Sequence, residues 1–523
     1  MGGPSSGVTG QRADQSSSWR DRVRRVRPVR PTRGDVIAGI SVALVLVPQA
    51  LAYAELAGVP PVHGLYAAAA APVFAAFVGS SPYLQTGPVA LTSLLTFGAL
   101  APLADEGTAT FASYAALLAL LVGVVRLVLG LLRWGAVAYL MSLPVVTGFT
   151  VAAAVLIIAS QIPGLVDVDS GALSPIVAAG EVLVQPGEWS LAAVGIGLAT
   201  VAVVILGRRI SALFPWMLLV TVVGLVLSAA GLVRVAGVGE IPAGLPALAL
   251  DLPWHALPEL ALPALVIAVV GFAEPASIAR KYAAEDHKPW NPHLEFVGQG
   301  LANLGSGLFG GYPAGGSFSR SALGRLAGAR TRWSGAITGV AVLAVLPFVG
   351  VLSALPRAVL AGLVIVAAVS LVDVAAFREY WQHSRAQFLV AVPTFVVTLA
   401  AAPRVERGLL VGVGLALAVH LWREARLDVD AWREDGTLHV RPQGVLYFGS
   451  APALESRLRA LLAEHPDAHT VAIDLHRLGR LDLTGLYVLR GVAEQIRDGG
   501  ATVEFCEVPP HAKERARSVL GDC

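Results

Sequence analysis

Lysine is almost missing from this chain. Only Lys281, Lys288 and Lys513 occur in 523 residues, so arginine carries the positive charge. Cysteine is scarcer still: Cys506 and Cys523 both lie near the C-terminus. That excludes a disulfide framework and a cysteine-built zinc site. Charge of either sign is short, at 14% of residues, where a soluble domain carries roughly 25%. Apolar residues make up 55%, and mean hydropathy is +0.68. This apolar excess is too long for one core, which excludes a soluble enzyme of this length. It also excludes a disordered chain, which needs low hydrophobicity and high net charge. A formal net charge of +2 is too small to imply nucleic acid as a partner.

Composition changes along the chain. Residues 1–33 are polar and basic, with Arg20, Arg22, Arg24, Arg25, Arg27, Arg30 and Arg33. No short apolar stretch follows to make a cleavable signal. This segment reads as a cytoplasmic tail facing anionic lipid. Residues 34–424 are a near-continuous series of apolar stretches, and 425–523 return to soluble composition. A spanning helix needs about 20 apolar residues. On that measure the expected spans are 35–57, 62–79, 87–104, 112–132, 139–161, 190–206, 213–233, 258–279, 293–310, 317–327, 334–353, 357–375, 386–402 and 407–423. The stretches 87–104 and 317–327 are short for a full crossing. With the N-terminus inside, the cytoplasmic loops hold Arg133, Arg208, Arg209, Arg280, Arg325, Arg330 and Arg332. The opposite loops hold only Arg234, Arg357, Arg404 and Arg407. The arginine bias sets orientation. The expectation is a multi-pass plasma (inner) membrane protein with both termini cytoplasmic.

Seven segments precede a break near 237–256 and seven follow, so the halves 34–236 and 257–424 enter the membrane with opposite topology. Both third segments are broken at their starts, one at Ser81-Pro82-Tyr83-Leu84-Gln85-Thr86-Gly87-Pro88-Val89-Ala90. The other runs Gly310-Gly311-Tyr312-Pro313-Ala314-Gly315-Gly316-Ser317-Phe318-Ser319-Arg320-Ser321. Irregular backbone survives at membrane depth only inside protein or along a wet cavity. A helix that starts there directs free N–H groups and a positive dipole end into the cavity. Two facing starts make an anion site; as plain packing devices, the same glycines bring helices close. Ser317, Ser319 and Ser321 offer hydroxyls, and Arg320 a full charge. In the first segment Pro48 frees backbone groups. Gln49 either satisfies them or lines the site, with Tyr53 one turn later. Glu274 is an acid at membrane depth. It is a candidate to carry a coupling proton, to pair with Arg320, or to serve structure. Arg126 reads as a snorkelling residue or a helix contact, His63 as a structural loop residue, and Glu55 and Glu285 as solvated.

On these residues the chain resembles the sulfate permease (SulP) family of anion transporters. The resemblance rests on Val47-Pro48-Gln49-Ala50-Leu51-Ala52-Tyr53-Ala54 with Gly58-Val59-Pro60-Pro61, and on Pro144-Val145-Val146-Thr147-Gly148-Phe149. It rests also on Gly298-Gln299-Gly300-Leu301-Ala302-Asn303 running into Gly315–Ala322. It implies a polytopic α-helical membrane protein of about 14 helices in two inverted seven-helix repeats, uracil-transporter-like, with a core and a gate. It implies a homodimer in the lipid bilayer. Carried over by motif, the anion site falls on Gln49, Tyr53, Val89, Ala90, Phe318, Ser319 and Arg320. Bicarbonate-carrying relatives bind sodium through an Asp at position 274 and a hydroxyl one turn on. Here those are Glu274 and Ile278, which favours a coupling proton with sulfate.

Residues 425–523 alternate strand and helix patterns. Strands are expected at 436–441, 445–448, 470–475 and 502–505, with helices at 451–464 and 486–497. This part resembles the STAS domain, a small α/β fold. The residue after Asp482 is Leu483, where anti-sigma antagonists carry a phosphorylated serine; Thr484 remains a candidate. Asp474 and His476 read as surface residues. A cytoplasmic partner of this domain is the implied role. No metal cluster, nucleophile elbow or phosphate loop appears, so no enzyme activity and no cofactor are expected. The leading expectation is secondary active inorganic-anion transport, sulfate with a proton. Bicarbonate or dicarboxylate transport, or a non-transporting membrane sensor signalling through the C-terminal domain, are the alternatives.

Overall fold

The computed structural model describes residues 30–135, 142–211 and 214–521. The tail arginines Arg20, Arg22, Arg24, Arg25 and Arg27, the first residues of the expected spans 139–161 and 213–233, and Cys523 lie outside them. The described chain forms two compact units. One comprises the residues up to Gln382 with Ala391–Leu410; the other comprises His383–Val390 with the chain from Val411 onward.

The first half contains α1 (Arg33–Leu56), α2 (Pro61–Ala75), β1 (Thr86–Gly87), α3 (Ala90–Leu100), α4 (Ala109–Leu131), α5 (Leu143–Val166), α6 (Pro175–Leu183), α7 (Leu191–Ile210) and α8 (Trp216–Ala229). The second contains α9 (Leu257–Glu285), α10 (Pro292–Leu308), β2 (Gly315–Gly316), α11 (Phe318–Leu326), α12 (Trp333–Val345), α13 (Arg357–Val369), α14 (Val374–His383), α15 (Arg385–Ala400) and α16 (Glu406–Glu424). The two lists match in kind: a two-residue strand precedes the third apolar helix of each half, and a short helix follows the fifth. All fourteen expected segments find a helix, and α6 and α14 are additional. Seven helical stretches among the described residues are long and apolar enough to cross a membrane. At 1.5 Å per residue, α3 (11 residues) and α11 (9 residues) are about 16 and 14 Å long. Each therefore covers about half of a 30 Å hydrocarbon core.

Local sequence explains the starts and crossings. Thr32 caps α1: its hydroxyl accepts the Asp35 amide at 3.2 Å, and Asp35 takes the Thr32 amide at 2.7 Å. The buried Asp35 also accepts the amides of Arg330 and Thr331, each at 2.8 Å, tying α1 to the turn before α12. Small residues let the helices touch. A Cβ on Gly64 would lie 2.0 Å from the Ala50 carbonyl oxygen, so α2 crosses α1 backbone to backbone. Gly123 and Gly130 of α4 meet α10 in the same manner.

Several sequence expectations need correction. His63 lies inside α2, not in a loop, because Pro61 starts that helix; its Nδ1 sits 2.6 Å from the Gly310 carbonyl. Arg126 does not snorkel; it is fully buried. Glu55 is not simply solvated: Arg357 Nε reaches it at 3.4 Å, and Arg357 Nη1 lies 3.3 Å from Asp169. The expected span 334–353 is α12 followed by a 3-10 segment, Leu346–Ala354.

The second unit carries β3 (Asp428–Glu434), β4 (Thr437–Leu446), α17 (Ala451–Glu464), β5 (Thr470–Asp474), β6 (Leu478–Leu481), α18 (Leu483–Asp498), β7 (Thr502–Cys506) and α19 (Lys513–Leu520). The sheet order is β3-β4-β5-β7, with β6 beside β4; β3 runs antiparallel to β4 and the other pairs are parallel. Leu438, Val440, Val471, Ile473, Leu486 and Leu489 fill its core. Where two strands were expected at 436–448 there is one, β4, with an irregularity between Gly444 and Val445. The polar β3 and the short β6 were not expected. Their patterns are weak, because β3 is mostly exposed. Asp482 caps α18, accepting the Gly485 amide at 2.7 Å.

Candidate functional site

The two broken segments meet. β1 and β2 pair antiparallel, Thr86 with Gly316 and Gly87 with Gly315, and each strand runs straight into its half-helix. Val89 caps α3 in extended conformation with no side-chain cap. The first-turn amides, beginning with Ala90, therefore have no acceptor within the helix. Thr92 and Ser93 turn their hydroxyls back onto the Val89 carbonyl at 3.2 and 3.0 Å. Ser317 caps α11, its hydroxyl facing the Arg320 amide at 3.5 Å and the Ser319 hydroxyl at 3.2 Å. The Phe318 amide donates to Glu274 Oε1 at 3.3 Å. Glu274 on α9 is thus bound to the first turn of α11. Among the described residues it forms no ion pair with Arg320.

Arg320 lies at the junction, 1% exposed. Nη1 donates to Gln49 Oε1 at 3.2 Å and Nη2 to the Pro88 carbonyl at 2.8 Å. Its Nε–H is buried, with no acceptor among the described residues. A guanidinium has five donors, so the group retains hydrogen-bonding capacity where both half-helices begin. Gln49 also contacts Met217 Sδ of α8 through Nε2, at 3.2 Å. Tyr53, one turn further along α1, is buried, as are Val89 and Ala90. Gly315 approaches Val89 closely: a Cβ there would stand 3.0 Å from Val89 Cγ2. Phe318 and Ser319 differ from the rest in being exposed. Ser319 lines a cavity of about 220 Å³ with Val45, Arg208, Trp216 and Met217. Five of the seven expected anion-site residues are thus buried, and the two exposed ones are Phe318 and Ser319, of which Ser319 borders the cavity.

The residues that hold this arrangement stood in the sequence motifs without a role assigned to them. The Gln85 amide donates to Ser321 Oγ at 2.9 Å, and the Gln85 carbonyl accepts the Ser317 amide at 3.1 Å. Gln299 Nε2 donates to Thr86 Oγ1 at 2.8 Å. Asn303 accepts the Ala314 amide at 2.9 Å and donates to the Ala314 carbonyl at 3.2 Å. These side chains stitch α10 to both strands. A buried amide on an apolar helix was the available signal, since such groups need partners.

Comparison with known proteins agrees with this architecture. Residues 32–394 match the model of the sulfate permease family, and residues 428–519 match that of the STAS domain. A chloroplastic sulfate transporter 4.1 of Arabidopsis thaliana is 33% identical over 459 residues, covering 81% of this chain and 66% of that protein. A probable sulfate transporter of Mycobacterium tuberculosis is 30% identical over 97% of this chain and 95% of its own. Among solved structures, the murine solute carrier 26 family member A9 anion transporter in its inward-facing state superposes with a TM-score of 0.87, at 19% identity. That match covers 98% of this chain and 92% of the other. The transmembrane domain of a cyanobacterial bicarbonate transporter gives 0.62 at 24% identity, over 74% of this chain and 97% of that domain.

Proposed function

This chain belongs to the sulfate permease family, and we propose that it is a secondary active inorganic-anion transporter that takes up sulfate with a proton by alternating access. Its relatives carry transporter names, and it is not an enzyme. In this reading the anion binds between the N-termini of α3 and α11. Gln49, Tyr53, Val89, Ala90, Phe318, Ser319 and Arg320 line it. The observation that carries the reading is the buried Arg320 at the paired starts of two half-helices, with an Nε–H that finds no acceptor among the described residues. Helix starts and a guanidinium both favour an anion.

Coupling is assigned to Glu274. Its carboxylate accepts the first amide of α11, so protonating it weakens that contact and changes the half-helix that meets the anion. A sodium site is disfavoured, because Ile278, one turn on, is fully buried and apolar. The protein works as a homodimer in the plasma (inner) membrane. Both termini are cytoplasmic, and the STAS domain engages a cytoplasmic partner.

The test is labelled-sulfate uptake into proteoliposomes, with and without an inward proton gradient, for wild type and Glu274→Gln. Gradient-driven uptake abolished in the variant is the expected result. Bicarbonate or fumarate entering in place of sulfate leaves the site and overturns the substrate. The absence of any anion flux favours a sensor signalling through the STAS domain.

A further inference from the structure

α4 holds a cation that the transport reading does not use. Arg126 lies five residues before the helix ends at Leu131 and is 0% exposed. Its Nε donates to the Ala268 carbonyl at 3.1 Å, Nη2 to the Ile267 carbonyl at 3.1 Å, and Nη1 to the Ala314 carbonyl at 3.0 Å. Among the described residues it has no carboxylate in ion-pairing range. Backbone carbonyls satisfy N–H groups but leave the full positive charge in place. An interior cation without a counter-charge is costly.

Its neighbours place that charge. Ala314 is the residue before β2. Ile267 and Ala268 lie about two turns before Glu274 on α9. A Cβ on Gly271 would stand 2.7 Å from Arg126 Nη2 and 3.1 Å from Thr92 Cγ2 of α3. Glycine at 271 is therefore what lets the guanidinium and the first turn of α3 meet on one face of α9. Arg126 and Thr92 of α3 thus flank Gly271 together, and Arg126 holds the residue ahead of β2 through the Ala314 carbonyl.

We infer that Arg126 is a positioning residue that also sets charge preference. It fixes the strand ahead of α11 and adds a second permanent positive charge behind the anion site, favouring dianions over monoanions. This rests on the transport reading above. A fixed charge acts on a bound ion in proportion to that ion's charge, so a dianion gains twice what a monoanion gains. The dianion's advantage is one further unit-charge interaction with Arg126, so removing that charge weakens sulfate more than a monoanion.

The experiment uses the full-length protein in proteoliposomes. It measures KM and kcat for labelled sulfate, and the inhibition constant of nitrate as competitor, in wild type, Arg126→Lys and Arg126→Gln. Lysine keeps the charge and loses the planar fork; glutamine keeps donors and loses the charge. The expected result is a sulfate KM raised relative to the nitrate constant in the glutamine variant, with the ratio retained in the lysine variant. Equal behaviour of the two variants, or a fall in kcat with an unchanged ratio, overturns charge selection and leaves a purely structural tie. If the glutamine variant does not fold, Gly271→Ala displaces the guanidinium without deleting it; the sulfate KM rises relative to the nitrate constant if the inference is right, and their ratio stays fixed if it is wrong. Wild type that carries no sulfate overturns the transport reading itself, whereas active wild type with an unchanged ratio overturns only this inference.

Discussion

Replacing Arg320 by methionine removes a buried guanidinium from the meeting point of the half-helices. Its effects on binding and on stability should separate. For binding, a hydrogen bond between a charged group and an ion contributes about 1.5–3 kcal/mol. At 1.36 kcal/mol per tenfold, losing it raises the sulfate KM about tenfold to about 150-fold. For stability, the Pro88 carbonyl and Gln49 Oε1 each lose a donor. A buried group left unsatisfied costs about 1–3 kcal/mol. Removing a buried cation that lacks a paired carboxylate offsets much of that cost. The variant should therefore fold, with a melting temperature close to wild type, and bind poorly. Arg320→Lys keeps the charge without the two-pronged geometry and should fall between the two. Proteoliposome uptake across a sulfate series, run beside thermal unfolding in detergent, reads both quantities. A folded Arg320→Met protein whose sulfate KM stays within about twofold of wild type, far below the tenfold expected, would refute the reasoning.

Two further predictions follow from the scaffold. Asn303→Leu leaves the Ala314 amide without its acceptor, while the Ala314 carbonyl keeps Arg126; the cost of about 1–3 kcal/mol should appear as a lower melting temperature together with a weaker sulfate affinity. In the STAS domain, burial opposes ionisation of Asp474, but hydrogen bonds from His476 and Arg441 outweigh it and hold its pKa below the usual value. A carboxylate lowered in the folded state stabilises above its unfolded pKa of about 3.9 and loses that contribution as pH falls below it. Asp474→Asn should therefore flatten the acid loss of hydrogen-exchange protection in β5 and β7; an unchanged acid profile would count against it.

The membrane architecture was legible because its signals are long. Apolar stretches separated by arginine-bearing loops located all fourteen segments, and the two Gly/Pro-broken starts stood out against them. Pairing of β1 with β2 was not legible, since a two-residue strand has no period to detect. Arg320 could be placed at a broken helix start from the sequence, but one of its acceptors, the Pro88 carbonyl, is main chain and leaves no mark there. For Arg126 the helix contact, one of the two options the sequence left open, is what the structure shows; its partners are carbonyls, which no sequence pattern marks. Glu55 and His63 sit near segment ends, where the boundary of α2 and the reach of Arg357 decide their surroundings. In the C-terminal domain β3 escaped notice because most of its residues face outward, so the apolar alternation that marks β4 is absent.

The most direct test of the account is to locate the anion. Selenate is a close analogue of sulfate, and its selenium gives an anomalous signal in crystals of the wild-type protein. The account predicts one strong peak between the first-turn amides of α3 and α11, in contact with Arg320. A peak confined to the separate polar cavity lined by Glu55, Gln161, Asp169 and Arg357, with none at the half-helix starts, would contradict it.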